Sequence, residues 1–250
     1  MPDLLSQVLA LPGLPWIVAI TFVAGLVRGF SGFGTAMIYL PVAGQFLPPV
    51  WAIVTLGIMD MVGPLPVVPR VWKDVHHRDL GRLFAGAAVM MPVGVAVLLI
   101  VDPSVFRYGV SLVAIGLLAV LLSGARYRGD LRAPMVYGIG GASGFLGGAV
   151  GMPGPPVILF YMASRHGAAV IRANTMLFLI GYDVMILGVF WVRGLLVAPP
   201  MMLGLLLIVP NLLGNMAGGA IFRPEYEKAY RFVAYAIIAI SAVSGLPFLS

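Results

Sequence analysis

A glycine-rich stretch occurs twice in the chain, each time inside an apolar segment that is too long for one membrane helix. Residues 25–32 read Gly-Leu-Val-Arg-Gly-Phe-Ser-Gly, and residues 144–151 read Gly-Phe-Leu-Gly-Gly-Ala-Val-Gly, so three glycines recur at an offset of 119 positions. A straight helix over either enclosing segment, 14–46 or 133–164, would rise about 1.5 Å per residue and exceed the ~30 Å hydrocarbon core of a bilayer. Each segment is therefore predicted to break at its glycines.

The composition is that of an integral membrane protein. Of the 250 residues, 61% are hydrophobic and 10% are charged, whereas a soluble domain carries about 25% charged residues. Long apolar segments favour spanning helices over barrel strands, which would alternate in polarity. We expect insertion into a bacterial inner (plasma) membrane. The net charge of +6 comes from basic residues in short loops, where it orients the chain and does not indicate nucleic-acid binding.

Basic residues also predict how the two long segments lie in the bilayer. If each segment enters and returns as a hairpin of two half-helices, twelve of the fourteen loop Lys and Arg residues lie on the cytoplasmic side, against eight if each crosses once. The hairpin arrangement is therefore preferred. The apolar segments run approximately over 14–46, 51–69, 83–101, 104–124, 133–164, 173–192, 199–222 and 229–248.

The hairpin arrangement predicts an all-α, polytopic fold made of two inverted-topology repeats. Each repeat has one broken (hairpin) helix and three spanning helices, an odd number of crossings that turns the second repeat upside down. Residues 1–125 form the first repeat, residues 132–250 the second, and 125–132 a cytoplasmic linker. Such a duplicated chain with matching helix breaks is typical of transporters with a site near the middle of the membrane.

The breaks are the predicted substrate site. Glycines allow the turn, and the second half-helices are expected to begin near Thr35 and Gly154, with unpaired N–H groups and partial positive charge that suit an anion. The alternative is that glycines at four-residue spacing, Gly25 with Gly29 and Gly144 with Gly148, only let helices pack closely. The candidate substrate-binding residues are Arg28, Gly32, Gly34, Thr35, Gly148, Gly151 and Gly154.

Three charged residues lie deep within apolar segments, where a charge is costly and calls for a reason. Arg28 is predicted to hold an anion by forked hydrogen bonds; alternatively it forms a structural ion pair, with Asp60 as a candidate partner. Asp60 and Asp183 occupy matching places in the two halves and are the candidate proton-coupling residues. His76 and His77 are interpreted as residues of a solvated loop without carboxylate or cysteine company, so no metal site is predicted.

The copies Gly25–Pro41 and Gly144–Leu159 resemble the glycine-rich motif of the sulfite exporter TauE/SafE family of membrane permeases. The resemblance covers nearly the whole chain, including its length, its duplicated halves and its basic loop after the second segment. Motif one departs from the family pattern at Arg28 and Phe33. The resemblance implies export of small sulfur-containing anions, such as sulfite or organosulfonates like sulfoacetate, driven by the proton gradient.

We therefore predict a secondary transporter that exports a small sulfur-containing anion by proton-coupled alternating access. A passive anion channel, or a cation or metal carrier that uses Asp60 and Asp183, remains an alternative. An enzyme is not expected, because the chain lacks cysteine, histidine within a span and a serine nucleophile motif. The expected partners are the anion, protons and the lipid bilayer, with no cofactor and no nucleic acid; a homo-oligomer is compatible with the sequence.

Overall fold

The computed structural model describes residues 2–65, 68–123, 131–161, 166–221, 223, 225 and 227–247. Across these ranges the chain is helical and contains no strand, which confirms the predicted all-α class. Most of the predicted linker 125–132 lies outside the described residues, and so do the loop arginines Arg126, Arg128 and Arg165.

The helices follow the apolar segments closely. Both long segments break at their glycines, and the second pieces begin at Thr35 and Gly154 as predicted. The helices are α1 (Pro2–Leu9), α2 (Leu14–Ser31), α3 (Thr35–Ala43), α4 (Pro49–Val62), α5 (Val68–Val71), α6 (His77–Ile100), α7 (Pro103–Ser123), α8 (Ala133–Val150), α9 (Gly154–Pro156), α10 (Ala168–Val192), α11 (Ala198–Ile221) and α12 (Glu227–Ser244), with a 3₁₀ turn at Trp72–Asp74 and a π-helical turn at Val157–Tyr161.

Several of these helices are long and apolar enough to cross a membrane. Among the described residues, α2, α6, α7, α10 and α11 meet both requirements, and α4 and α12 are shorter apolar helices. Proline lies in the first turn of α2, α4 and α8, where its missing N–H costs no helical hydrogen bond. The prediction of a polytopic helical membrane protein is confirmed.

The chain divides into two compact units, and neither is one of the predicted repeats. The first unit comprises residues 1–63, 102–119 and 193–250, and the second comprises 64–101 and 120–192. Each unit therefore combines helices from both halves of the sequence. The division into inverted repeats at 125–132 remains a prediction.

In the first unit, α2 packs along α11 through glycines on both helices. A β-carbon on Gly25 would lie 2.8 Å from the side-chain oxygen of Asn211, and one on Gly29 would lie 2.8 Å from the backbone nitrogen of Gly219. The backbones therefore approach as closely as helices with small residues at four-residue spacing can. Asn211 also donates from Nδ2 to the carbonyl of Met59 at 3.1 Å, which ties α11 to α4.

In the second unit, α8 packs along α6 in the same manner. A β-carbon on Gly144 would lie 2.5 Å from the Ala87 carbonyl oxygen, and one on Gly148 would lie 2.6 Å from the Met91 carbonyl oxygen. Close helix packing, the alternative stated for glycines at four-residue spacing, is thus a structural role of Gly144 and Gly148. The α10 helix packs on α6 as well and completes the body of this unit.

The two closest helix pairs match each other under the proposed duplication. The glycine motif lies on α2 in the first half and on α8 in the second, while α6 and α11 correspond to the second apolar segment after each long segment, 83–101 and 199–222. Because α2 packs on α11 and α8 packs on α6, each motif helix rests on a helix from the other half. This exchange explains why each compact unit contains helices from both halves of the sequence.

Candidate functional site

The first glycine break lies in the first compact unit and separates α2 from α3. Gly32 adopts φ 80° and closes α2, with its N–H donating to the Arg28 carbonyl at 2.7 Å. Gly34 adopts φ 104° immediately before Thr35 begins α3. Both values lie in the left-handed region that favours glycine, so the two glycines make this sharp break possible.

Ser31 holds the first break together. Its hydroxyl lies 2.7 Å from the Val27 carbonyl oxygen and 2.9 Å from the Phe33 carbonyl oxygen, and it accepts from the Phe33 N–H at 3.4 Å. The hydroxyl thereby bridges the last turn of α2 and the segment that leads into α3. Gly32 itself is exposed and a β-carbon on it would meet no atom within 4 Å, so the break is open on one side.

Arg28 and Asp60 form an ion pair beside this break. Arg28 Nη1 donates to Asp60 Oδ1, and the two side chains are 16% and 19% exposed, respectively. The sequence allowed either a substrate contact or an ion pair for Arg28, and the structure shows the ion pair. The pairing spans 32 residues and connects α2 to α4. It neutralises the guanidinium charge, while the partial exposure leaves the pair within reach of a solute.

The helix that follows the first break, α3, also contacts α4. The hydroxyls of Tyr39, on α3, and Thr55, on α4, lie 2.7 Å apart, and both residues are fully buried. Thr35 is 4% exposed and begins α3, whose first N–H groups have no partner within the helix. α4 thus contacts both helices of the first break, α2 through Asp60 and α3 through Thr55.

The second glycine break lies in the second unit and has a different character. Gly151 adopts φ 74°, and its N–H donates to the Gly147 carbonyl at 2.9 Å, so α8 ends as α2 does. The three residues Gly154–Pro156 then form α9, which continues into the π-helical turn. Gly151 to Pro153 are buried. The predicted residue Gly151 is therefore buried at the break, and Gly154, which is half-buried, begins the next helix.

The counterpart of Arg28 in the second break is Gly147, and it faces an aromatic ring. A β-carbon on Gly147 would lie 2.9 Å from Cε1 of Tyr182, on α10. The hydroxyl of Tyr182 is buried and has no hydrogen-bond partner among the described residues. Gly147 thus lies against an aromatic side chain, whereas Arg28 in the first break extends to an acidic one.

Two other predicted site residues also lie in the second unit. Gly148 is buried in the contact between α8 and α6, where it serves packing. Asp183 is half-buried on α10 in the second unit, directly after Tyr182, so the two candidate proton-coupling acids belong to different units.

His76 precedes α6 and its side chain is 42% exposed, but the interpretation that it has no carboxylate company is wrong. Its Nδ1 lies 3.1 Å from Oδ2 of Asp79, and Nε2 of His166 lies 2.9 Å from the same oxygen. The His76–Asp79 spacing, at the start of a helix, was visible in the sequence. His166 lies 87 residues further on, and only the fold brings it to the pair.

One family model matches the chain, that of the family described as Sulfite exporter TauE/SafE, over residues 17–245. The match takes in both glycine breaks and every helix from α2 to α12. Neither the curated proteins nor the solved structures gave a match.

Proposed function

Because the chain belongs to the sulfite exporter TauE/SafE family and is therefore an integral membrane transporter, we propose that it exports a small sulfur-containing anion through a bacterial inner membrane. The substrate is sulfite or an organosulfonate such as sulfoacetate. The binding site is the first glycine break, with Arg28, Gly32, Gly34 and Thr35 as its contacts.

The observation that carries this proposal is the ion pair of Arg28 and Asp60 at the open break. A guanidinium group offers two parallel N–H donors that match the oxygens of a sulfite or sulfonate group. The start of α3 adds backbone N–H groups and the positive end of the helix dipole. A charged donor and a helix N-terminus thus lie on either side of Gly32 and Gly34, and a β-carbon on Gly32 would meet no atom within 4 Å.

The same pair supplies a route to proton coupling. While Asp60 is ionised, it competes with the anion for the guanidinium group of Arg28. When Asp60 takes up a proton, the pair loses its charge attraction and Arg28 can turn its donors to the substrate. Proton uptake and anion binding therefore favour each other to the same extent. The anion and the proton then cross in the same direction, and export proceeds while the outward gradient of the anion exceeds the inward gradient of protons. Alternating access of the broken helices then moves the loaded site across the membrane.

The second break supplies a turn of the backbone and no charged side chain. Gly151, at positive φ, lets the chain turn in a buried setting just before Gly154 begins α9, and the freed N–H and C=O groups there must be satisfied within the protein. Asp60 is paired with Arg28, and among the described residues it is not part of a group of three or more histidine and acidic side chains that could hold a metal ion. This pairing favours the anion over the cation carrier.

Transport by the Asp60→Asn variant in proteoliposomes tests the coupling. Wild-type uptake of sulfoacetate should respond to an imposed pH gradient, whereas the variant should transport at a rate that the gradient no longer changes. The matched control is Asp183→Asn, which should keep the wild-type response. A wild-type flux that ignores the gradient would indicate a passive anion channel. A response to pH that survives in Asp60→Asn but disappears in Asp183→Asn would assign the coupling to α10.

A further inference from the structure

A cluster of two histidines and one aspartate lies at the start of α6 in the second unit. His76 immediately precedes the helix, Asp79 lies in its first turn, and His166 lies just before α10. Asp79 is almost fully buried, with 6% of its side chain exposed. A buried carboxylate surrounded by imidazoles has no part in the anion site, which lies in the other unit.

The ligand atoms of the cluster are spaced as a metal ion would require. Nδ1 of His76 and Nε2 of His166 lie 3.1 Å and 2.9 Å from Oδ2 of Asp79, and all three atoms lie within 4.8 Å of one another. In a tetrahedral zinc site with bonds of about 2.0–2.1 Å, ligand atoms are about 3.3 Å apart. Two of the three separations are close to this value, so only the two imidazoles must approach each other.

One atom of the cluster indicates a cation in particular. Nδ1 of His76 is buried and makes no hydrogen bond with any described residue, although Oδ2 of Asp79 is near, because the alignment is wrong for an N–H donor. A buried polar atom without a partner is unusual and calls for an explanation. A metal ion placed between the nitrogen and the carboxylate would satisfy both.

Neighbouring side chains hold the ligands in place. Asn174, fully buried on α10, accepts from the His76 N–H at 2.9 Å and donates to the His76 carbonyl at 3.2 Å. Arg82 donates to Oδ1 of Asp79 at 2.9 Å and so leaves Oδ2 for the two imidazoles. Partners of this kind orient metal ligands and raise metal affinity.

We propose that His76, Asp79 and His166 form a site for a divalent transition-metal ion such as Zn²⁺. Two imidazoles and one carboxylate suit zinc or cobalt, whereas Mg²⁺ and Ca²⁺ prefer sites made only of oxygen. Three protein ligands leave a fourth position for water. The ion would fasten the segment before α10 to the start of α6 and so join the two halves of the sequence in a metal-dependent brace.

Metal titration of the full-length protein, purified without a histidine tag and treated with a chelator, tests the site. Isothermal titration with Zn²⁺ should show one equivalent per chain, and Mg²⁺ should show none. Substitution of Co²⁺ should give the visible absorption of a four-coordinate ion. His166→Ala should weaken binding at least about tenfold.

The chain provides a matched control in His77, which neighbours His76 but lies outside the cluster. His77→Ala should bind Zn²⁺ as the wild type does. Should His166→Ala fail to fold, His166→Gln keeps a nitrogen donor for Asp79 and should still lose the metal. Wild-type affinity in a folded His166 variant, or an equal loss in His77→Ala, would overturn the proposal and leave a cluster held together by hydrogen bonds alone.

Discussion

The two glycine breaks share a backbone plan but differ in the side chains around them. In both, a glycine at positive φ closes the first helix, and the next helix begins three residues later. The first break is half-exposed and carries the Arg28–Asp60 pair, while the second is buried and packs Gly147 against Tyr182. The same framework thus supports a charged, accessible site in one unit and a closed apolar contact in the other.

This difference shows that glycines decide where a helix breaks, while the neighbouring side chains decide what the break can bind. Arg28 needs an acidic partner within reach, and Asp60 provides it from α4. Position 147 must be glycine, because the ring of Tyr182 fills the space that a side chain there would occupy. A substitution in the first break should therefore destabilise the protein by leaving a charge unpaired, and one in the second break by steric overlap.

The largest effect on stability is expected from Arg28→Ala. The change leaves the carboxylate of Asp60 without its partner in a largely buried place, and we expect a loss of about 3 kcal/mol, at the low end for buried pairs because both side chains are partly exposed. Thermal unfolding in detergent measures it. Arg193→Ala, at an exposed position, should change stability by less than about 0.5 kcal/mol. An Arg28→Ala protein as stable as the wild type would mean that the ion pair contributes nothing.

A smaller loss is expected from Gly147→Ala in the second break. The added methyl group overlaps the ring of Tyr182, and overpacking of this kind costs about 1–3 kcal/mol. Gly138, on the same helix, has open space around it, so Gly138→Ala should be neutral or slightly stabilising. The comparison of the two unfolding temperatures separates packing from helix propensity. Equal temperatures would show that the ring moves aside at no cost.

The smallest effect on stability is expected when the hydroxyl group of one of two buried tyrosines is removed. Tyr39→Phe removes the hydrogen bond to Thr55 that holds α3 on α4, and we expect a loss of about 1 kcal/mol. Tyr182→Phe removes a buried hydroxyl that has no partner among the described residues, so it should be neutral or stabilising. Both variants can be compared by thermal unfolding. A destabilised Tyr182→Phe would reveal a polar contact in the second break.

Much of the fold could be predicted from the sequence because its signals are local. The starts at Thr35 and Gly154 follow from glycine and proline chemistry, and the long apolar segments are nearly the same as the helices. The short helix α1 was not predicted, because its eight residues are too few to span a bilayer. The mixing of halves in the compact units depends on which helices pack together, which no local pattern records.

The candidate sites were predicted less completely, for the same reason. Arg28 and Asp60 could be identified as candidate site residues because a charge inside an apolar segment has a high free-energy cost. Their pairing could not be decided, because the partner lies 32 positions away and both alternatives agree with the sequence. The cluster of His76, Asp79 and His166 was missed, since only tertiary packing brings its third member in from the other half of the chain.

The central claim is that the charged pair of the first break binds the anion, and sulfoacetate binding by the double variant Arg28→Gln/Asp60→Asn tests it most directly. The two amides can still bond to each other, so the variant should fold, as its unfolding temperature without ligand will show. We predict that sulfoacetate raises the unfolding temperature of the wild type and of Gly138→Ala but has no effect on the double variant. An equal rise in all three proteins would contradict the account.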